Sequence, residues 1–436
     1  MRISARQIGH SLRTEGVQLR GKEAVLGSRT WGDLQEALDA GAAGQNGAIR
    51  PEDFSLRDLA AETIFSRNGD PVGQSFVEDY FDPRNPKPLQ EAMGAVDATA
   101  FAGITGQLLI NRTLQAFNSE EFIASKMVPT VPTRLDGERI PGVYLPSDPG
   151  EDVTVANEQE PLRYVGFGEE YVETPATVKR QLGIAVTREA IFFDRTGLVM
   201  NRASYVGTIL GLRKEKNLLG VMIGATNTYK EKRKGDSAVQ SLKTFYSATD
   251  AGRWTNHFDG NALTDWTNID TAEQGFAAIT DPNTGEPIIL PNERLLFAPQ
   301  IKFLSMNFLL GASQVWRVSA SGLSTTGGIN TLGPNPLQNL GITMATSRQL
   351  YAQLQAQLGT DAATSGGYWF YGDPAAFAYM ENWPITVTQA PSNSEAEFSQ
   401  DIVLRFKASE RGVAAIMEPR RWQRHRTLAT SSSSGT

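Results

Sequence analysis

The chain contains no cysteine and only three histidines, His10, His257 and His425, in 436 residues. Without thiols there is no disulfide framework, no thiolate metal cluster and no cysteine nucleophile. Three imidazoles spread this widely offer little for histidine metal sites or Ser-His-Asp triads, which need their members together. Long apolar runs are missing too. The stretch from Phe303 to Leu310 falls short of the roughly 20 residues needed to cross a bilayer, and Met1 to Leu19 lacks the apolar centre of a signal peptide. These absences predict a soluble, non-membrane product of a reducing compartment, with no cofactor and no metal.

What is present suffices for a sizeable core. The hydrophobic content of 40% excludes a wholly disordered chain, and the length allows about three domains or one interwoven one. A net charge of -7 argues against general nucleic-acid affinity, but the local distribution says more. Residues 1–30 carry six basic and two acidic groups, a net of +4; residues 31–95 carry twelve acids and five bases, a net of -7.

Gly- and Pro-rich breaks separate short helical patterns in this first region. Trp31 to Ala40 is one, Phe54 to Ile64 another, and Asp82 to Pro88, with three prolines, continues neither helix nor central strand. The region reads as an extended arm. From Met127 to Val178 prolines alternate with β-branched and aromatic residues, predicting a long two-stranded excursion. Asp136 to Glu173 holds ten acids and two arginines, a net of -8. So acidic a ribbon has little apolar surface of its own and needs something to lie on.

Leu182, Ile184 and Val186 then share one face of a short strand, which ends at Thr187 as N-cap of a turn, Arg188 to Phe192. The spacing predicts a long helix over Thr196 to Ile223, with Val199, Ala203, Val206, Leu210, Asn217 and Val221 on one stripe, Tyr205, Ile209 and Leu212 beside it, and Gly220 and Gly224 as a stop. Lys179 to Lys234 carries twelve basic groups and four acids, a net of +8. Further on come a helix from Ile269 to Ile279, a turn over Asp281 to Pro287, strands Ile288 to Leu290 and Leu295 to Phe297, and a helix from Pro299 through Leu310. A loop from Ser319 to Pro336, an aromatic strand Tyr368 to Tyr371 with a turn at Gly372-Asp373-Pro374, and a final strand Ile402 to Lys407 complete the pattern.

Motifs for chemistry fail on inspection. Asp281 to Glu286 lacks the ligand spacing of a calcium loop. Gly166-Phe167-Gly168 is followed by Glu169 and Glu170 where a phosphate site needs glycine and no anion. That pair of carboxylates has the composition for acid and base work, but a solvated acidic ribbon explains it better. Asn111-Arg112-Thr113 matches a glycosylation acceptor without secretory context. Arg420, Arg421, Arg424 and Arg426, and the cluster Lys230 to Lys234, offer weak electrostatic contact with phosphates, without the interleaved aromatics of a single-strand binder.

In their order, the acidic excursion, Gly183 to Gly197 with the helix after it, Ile269 to Leu309 and Tyr368 to Pro419 resemble major capsid proteins of tailed bacteriophages, the Hong Kong 97 type. The resemblance spans about residues 120 to 426. It implies an α+β fold with an N-terminal arm (1–95), a peripheral domain (96–291) holding the extended loop (133–178) and spine helix (196–223), an axial domain (292–395), a return strand (396–426) and a tail (427–436). It also implies pentamers and hexamers in an icosahedral shell around double-stranded DNA, without catalysis, assembled in the bacterial cytoplasm with a portal, a scaffold and a maturation protease, and with room for a decoration protein.

Under that resemblance the charge pattern predicts a head-to-tail contact. The acidic loop of one subunit (Asp148, Glu151, Asp152, Glu158, Glu160, Glu169, Glu170, Glu173) lies on the basic spine of its neighbour (Arg202, Arg213, Lys214, Lys216, Lys230, Lys232, Arg233, Lys234), while Arg2, Arg6, Arg13 and Arg20 form a basic arm towards the interior. Two other readings stand beside it: a cellular encapsulating shell for an enzyme cargo, and a β-rich carbohydrate-active hydrolase using the acidic ribbon.

Overall fold

A computed structural model describes residues 66–67, 70–71, 109–110, 112–141, 171–187, 198–225, 229–232, 240–241, 245–247, 255–280, 287, 294–317, 331–358, 367–390 and 402–427. The expected arm helices, the turn after Thr187, the strand Ile288 to Leu290 and most of the acidic excursion lie outside these residues. The chain separates into two units. One comprises Met1–Ser119, Lys179–Arg213 and Trp383–Arg411; the other comprises Glu120–Val178, Lys214–Asn382 and Gly412–Thr436.

The second unit is organised by two strands buried along their whole length, Leu295–Pro299 and Tyr368–Gly372. Successive side chains of a strand point to opposite faces, so a strand covered on both sides needs a continuous apolar run. Leu-Leu-Phe-Ala and Tyr-Trp-Phe-Tyr supply it. Leu295, Phe297, Tyr368 and Phe370 enter one core with Phe245, Phe377 and Trp422. Leu296, Ala298, Trp369 and Tyr371 enter another with Ile269, Met306 and Leu309. Both strands belong to a five-stranded sheet in the order Thr343–Ser347, Leu295–Pro299, Tyr368–Gly372, Trp422–Arg426, His257–Asp259. Its outer pairs are parallel and its inner ones antiparallel.

Helices follow sequence logic here. Trp266–Ala277 opens on a capping box in which Asp265 and Asn268 each bond the other's backbone, satisfying donors that a helix start leaves unpaired. Arg348–Leu358 buries Leu350 and Leu354, one turn apart, and the Leu350 N–H donates to the Ser347 hydroxyl at 3.3 Å. After Pro299, a 3-10 turn Gln300–Lys302 leads into Phe303–Gly311.

The first unit has a smaller core of Phe117, Val206, Leu210 and Ala408, with Leu182, Ile184, Ile385 and Val387 packed against it. Leu182, Ile184 and Val186 do lie on the inner side of their strand, Val178–Thr187, where Gln181, Gly183 and Ala185 are exposed. Close packing brings the Thr113 carbonyl so near that a Cβ at Gly207 would lie 2.1 Å from it. The Thr113 hydroxyl meanwhile donates to the Leu109 and Ala203 carbonyls at 2.8 and 3.2 Å.

Three further elements are long: the helix Leu198–Met222 and the strands Phe377–Gln389 and Ile402–Ile416. The two strands belong to a four-stranded sheet in the order Thr130–Pro132, Phe377–Gln389, Ile402–Ile416, Val178–Thr187. At about 1.5 Å per residue the 25-residue helix spans roughly 37 Å. It stops as expected at Gly224, whose φ of 78° places it in the left-handed region, while the Ala225 N–H returns to the Gly220 carbonyl. Ala203, Val206, Leu210 and Val221 are buried as predicted, but Tyr205 and Ile209 are exposed.

Three expectations need correction. The loop read over Ser319 to Pro336 contains a strand, Thr331–Pro334, antiparallel to Gln314–Arg317. The strand read as Ile402 to Lys407 continues to Ile416 and is not the last, because Trp422–Arg426 follows. Phe377–Gln389 escaped the sequence reading because Asn382-Trp383-Pro384 has the composition of a break.

Gly372 has φ 141°, and a Cβ there would meet the Arg421 carbonyl at 2.1 Å. Neither the dihedral nor the backbone neighbour has freedom to yield. Gly372→Ala is expected to destabilise by at least about 2 kcal/mol, read as a lowered urea midpoint; an unchanged midpoint contradicts the packing described.

Candidate assembly surfaces

The two described ends of the acidic excursion form a defined base. Arg139–Pro141 pairs antiparallel with Tyr171–Glu173, Arg139 opposite Glu173 and Pro141 opposite Tyr171, so its two ends are the paired strands the sequence predicts. Below them, the Thr174 and Glu138 backbones and the Thr174 hydroxyl exchange bonds of 2.8–3.1 Å. The Asp136 carboxylate accepts from the Thr177 N–H and hydroxyl at 2.8 and 2.9 Å. The Asp136 carboxylate and the Glu138 backbone therefore fasten the base.

The same sheet continues through Lys230–Lys232 and Gln240–Ser241. Lys230 lies opposite Glu173, and Lys232 opposite Tyr171. The ammonium of Lys232 stands 5.9 Å from the Tyr171 ring centroid and the guanidinium of Arg139 4.7 Å. The base of the excursion and part of the basic cluster thus share one sheet within the chain. Glu173, Lys230 and Lys232 are neighbours in a sheet. Arg233 and Lys234, like Asp148, Glu151, Asp152, Glu158, Glu160, Glu169, Glu170 and the arm residues Arg2, Arg6, Arg13 and Arg20, lie outside the described residues.

On the long helix the basic residues divide. Arg202 and Arg213 are exposed and Lys216 half-buried. Lys214 is buried instead, its ammonium 3.8 Å from the Glu381 carboxylate and 4.2 Å from the Tyr379 ring centroid. Its charge is engaged inside the subunit, contrary to its expected place on an outward spine. Beside it Glu215 is fully buried, a position the sequence reading missed. Its carboxylate accepts from the Ala124 and Ser125 N–H groups and the Ser125 hydroxyl at 2.8–2.9 Å, at the start of the short helix Ile123–Met127. Burial raises its pKa, with those bonds acting the other way. No local pattern in the sequence separates this buried carboxylate from its exposed neighbours.

The C-terminal arginines are engaged within the subunit, which corrects their reading as free phosphate contacts. Arg420 is fully buried and bonds the Glu418 carboxylate through Nε at 2.6 Å and Nη2 at 2.7 Å. Arg421 lies 3.6 Å from Asp373. Arg424 stacks 4.2 Å from the Tyr246 ring centroid and donates to the Ile223 carbonyl at 3.1 Å. Arg426 forms a bidentate pair with Asp259. A surface of four cations in the sequence becomes a set of internal bonds in the fold.

His425 is sandwiched between Trp369 and Phe258, with ring centroids 4.1 and 4.9 Å away. Its Nδ1 faces the Asn261 amide and its Nε2 the Gln423 carbonyl oxygen, each at 3.1 Å, which fits a neutral ring protonated on Nε2. Burial, reinforced by nearby His257, pushes its pKa down to about 3. In the first unit a cavity of about 680 Å³ is lined by Gly183, Ile184, Ala185, Thr388, Gln389, Ala390, Arg405, Phe406 and Lys407. Among the described residues that line it there is no carboxylate to serve as the acid or base of a glycoside hydrolase. Among the described residues no group of three or more metal-ligating side chains converges, and no helix is long and apolar enough to cross a membrane.

A family model described as phage capsid protein matches residues 170–425, more than half of the chain. The chain belongs to the phage capsid protein family. Membership makes it a structural component of a virion shell. The match begins at the returning strand of the excursion and ends at His425, leaving the N-terminal 169 residues outside it. No curated protein sequence matches. Solved structures similar to it include that of Gordonia phage Cozz, at 12% identity over 71% of this chain and 88% of that one, with a TM-score of 0.39. The capsid of a native GTA particle computed with C5 symmetry has 9% identity over 71% and 91%, TM-score 0.42. The capsid of cyanophage P-SCSP1u has 12% over 70% and 86%, TM-score 0.37.

For a capsid chain, internal use of the C-terminal cations means that their loss acts on folding. Arg420→Met leaves the buried Glu418 carboxylate without its partner and is expected to cost about 3–5 kcal/mol, measured by urea unfolding of the subunit. A second expectation concerns pH. A histidine whose folded pKa is lowered binds its proton only in the unfolded chain between about pH 6.5 and 3, so His425 removes stability as pH falls through that window, by up to about 1.4 kcal/mol per pH unit. Glu215, with a raised pKa, acts in the opposite sense, favouring the folded state at low pH. His425→Gln should flatten the pH dependence of subunit stability between pH 6 and 4 by close to one proton; an unaltered slope contradicts the assignment.

Proposed function

We propose that the chain is the major capsid subunit of a tailed phage, of the Hong Kong 97 type, and assembles into the icosahedral head without catalysing a reaction. The observation that carries this reading is the family match over 170–425, a span containing the returning strand of the excursion, the long helix and every strand of the five-stranded sheet up to His425. Copies of the subunit form pentamers and hexamers around double-stranded DNA, assembled in the host cytoplasm with portal, scaffold and maturation protease. Residues 1–95 serve as the arm, 96–291 with 396–426 as the peripheral domain and 292–395 as the axial one.

The excursion reaches a neighbouring copy from a base that is fastened in its own subunit. This reading is supported by the length of chain between Pro141 and Tyr171, by its acidity, and by the exposed Arg202 and Arg213 on the long helix. Lys214, whose ammonium stands 3.8 Å from the Glu381 carboxylate, is left out of that surface. The remaining contacts are exposed ion pairs worth about 0–1 kcal/mol each; charge sets register and repetition supplies affinity. Arg2, Arg6, Arg13 and Arg20 supply weak, non-specific contact with packaged DNA.

The test is assembly of the purified chain, followed by negative-stain microscopy and sedimentation. Wild type is expected to give uniform shells or capsomers. Arg213→Glu with Lys216→Glu should reduce them at least tenfold, and Glu169→Lys with Glu170→Lys should restore them. Normal particles from the first double variant would sink the loop-on-spine contact, whereas discrete monomers with hydrolase activity from wild type would sink the capsid reading.

A further inference from the structure

One nitrogen of His257 has two partners that it cannot serve together. On the edge strand His257–Asp259 of the five-stranded sheet, its Nδ1 lies 3.2 Å from Nε of Arg424 and 3.1 Å from the Arg424 carbonyl oxygen. An imidazole nitrogen either accepts through its lone pair or donates through N–H. Nε2, 3.1 Å from the Asp259 carboxylate, donates in either case. The neutral ring, protonated on Nε2, therefore takes the Arg424 Nε–H on Nδ1. The imidazolium carries an N–H there instead, which the carbonyl accepts and the guanidinium opposes.

The choice matters because of what Arg424 holds. Its Nη1 donates to the Ile223 carbonyl at 3.1 Å, just past the helix Leu198–Met222, and its guanidinium stands 4.2 and 5.7 Å from the ring centroids of Tyr246 and Tyr368. Carbonyls at a helix end have no partner inside the helix. A Cβ at Gly224, the left-handed stop of that helix, would lie 3.6 Å from the same Nη1. One side chain thus joins the helix end to the strand Trp422–Arg426.

Among the described residues, the titratable and charged groups facing His257 are Asp259 on its own strand, Arg424 and Arg426 on the paired strand, and Tyr246, with ring centroids 6.4 Å apart. His425 alternates to the opposite face of the sheet, stacked on Phe258. The Asp259 and Arg426 side chains, 37% and 38% exposed, open the cluster to solvent. Burial, and then the Arg424 guanidinium, hold the His257 pKa below the ordinary histidine value, so the ring is neutral near pH 7.

We propose that His257 is a proton-operated latch: neutral, it holds Arg424 through Nδ1 while Arg424 holds the end of the long helix; protonated, it donates to the Arg424 carbonyl and releases the guanidinium. Two adjacent cations in a half-buried cluster disfavour each other. The helix end then frays while the sheet stays paired, because the backbone pairing of His257–Asp259 with Trp422–Arg426 needs neither side chain. Since the folded pKa lies below the unfolded value, the latch is closed at neutral pH and its contribution is lost as pH falls. It works within one subunit and stands independently of the shell reading.

Hydrogen exchange of the purified full-length chain, followed by mass spectrometry and corrected for intrinsic rates, reads the latch at the amides of Ile223, Gly224 and Ala225, which bond the Leu219, Val221 and Gly220 carbonyls. Their protection is expected to fall at least about tenfold between about pH 7 and about pH 5, in a step of one proton. His257→Gln should keep them protected at both ends of that range. Arg424→Met should leave them unprotected throughout. Asp259→Asn, which loses the carboxylate that favours the imidazolium, should move the step down by about one pH unit. His425→Gln should retain the step, although it alters global stability. A wild-type chain without the step overturns the latch, as does a step that survives in His257→Gln or protection that survives in Arg424→Met. A step that vanishes in His425→Gln overturns it too, because the proton would then bind there. Should His257→Gln fail to fold, an unmoved midpoint in Asp259→Asn is decisive against it.

Discussion

The second unit depends on one strand. Tyr368–Gly372 is covered on both sides, and its alternating side chains belong to two different cores. On one edge it pairs with Leu295–Pro299 and on the other with Trp422–Arg426. Covered strands of this kind have no solvent face to absorb an error, because any polar group turned inward would need a partner at once. The polar atoms present have one. The Trp369 indole donates to the Asn261 carbonyl at 2.8 Å, and the Tyr371 hydroxyl to Glu273 at 2.6 Å. Gly372 then ends the strand where the Arg421 carbonyl leaves no room for a Cβ, so the chain can pass into Asp373, whose carboxylate caps the following turn.

That constraint explains where the C-terminal charges go. The segment from Glu418 to Arg426 must bring its strand alongside Tyr368–Gly372, and four arginines travel with it. Each is neutralised near its landing place, by Glu418, Asp373, Asp259 or the faces of Tyr246 and Tyr368. The buried Arg420 and Glu418 cost more to separate than to keep, because the desolvation of both is already spent. Charge close in sequence is therefore structural here, whereas Arg202 and Arg213 on the long helix are exposed.

Periodic elements were legible in the sequence: the 25-residue helix to within two residues at each end, the Leu182-Ile184-Val186 face, the aromatic strand and both ends of the excursion all carry patterns of period 3.6 or 2. What escaped had contrary local signals. Phe377–Gln389 passes through Asn382-Trp383-Pro384, and Thr331–Pro334 is Gly- and Thr-containing, so tertiary pairing overrides composition. At the candidate surfaces the net charges of segments were visible but their destinations were not. Lys214 and Arg213 are adjacent and chemically alike, yet one is buried against Glu381 and the other exposed. Helical phase decides between them, and only packing fixes that phase.

A chain that builds a shell must fold before it assembles, and its interactions divide accordingly. Contacts that hold the subunit are buried and directional: the Glu215 carboxylate on the Ala124 and Ser125 amides, the Arg420–Glu418 fork, and His425 between two aromatic rings. Each would lose several kcal/mol if mispaired, so each selects one fold. Exposed ion pairs are individually weaker, which suits a contact that must form, detach and re-form before a closed shell is reached. An interface of buried charges at every junction would trap the first wrong encounter. A shell subunit is served by ranking strong contacts inside itself above weaker, repeated ones outside it.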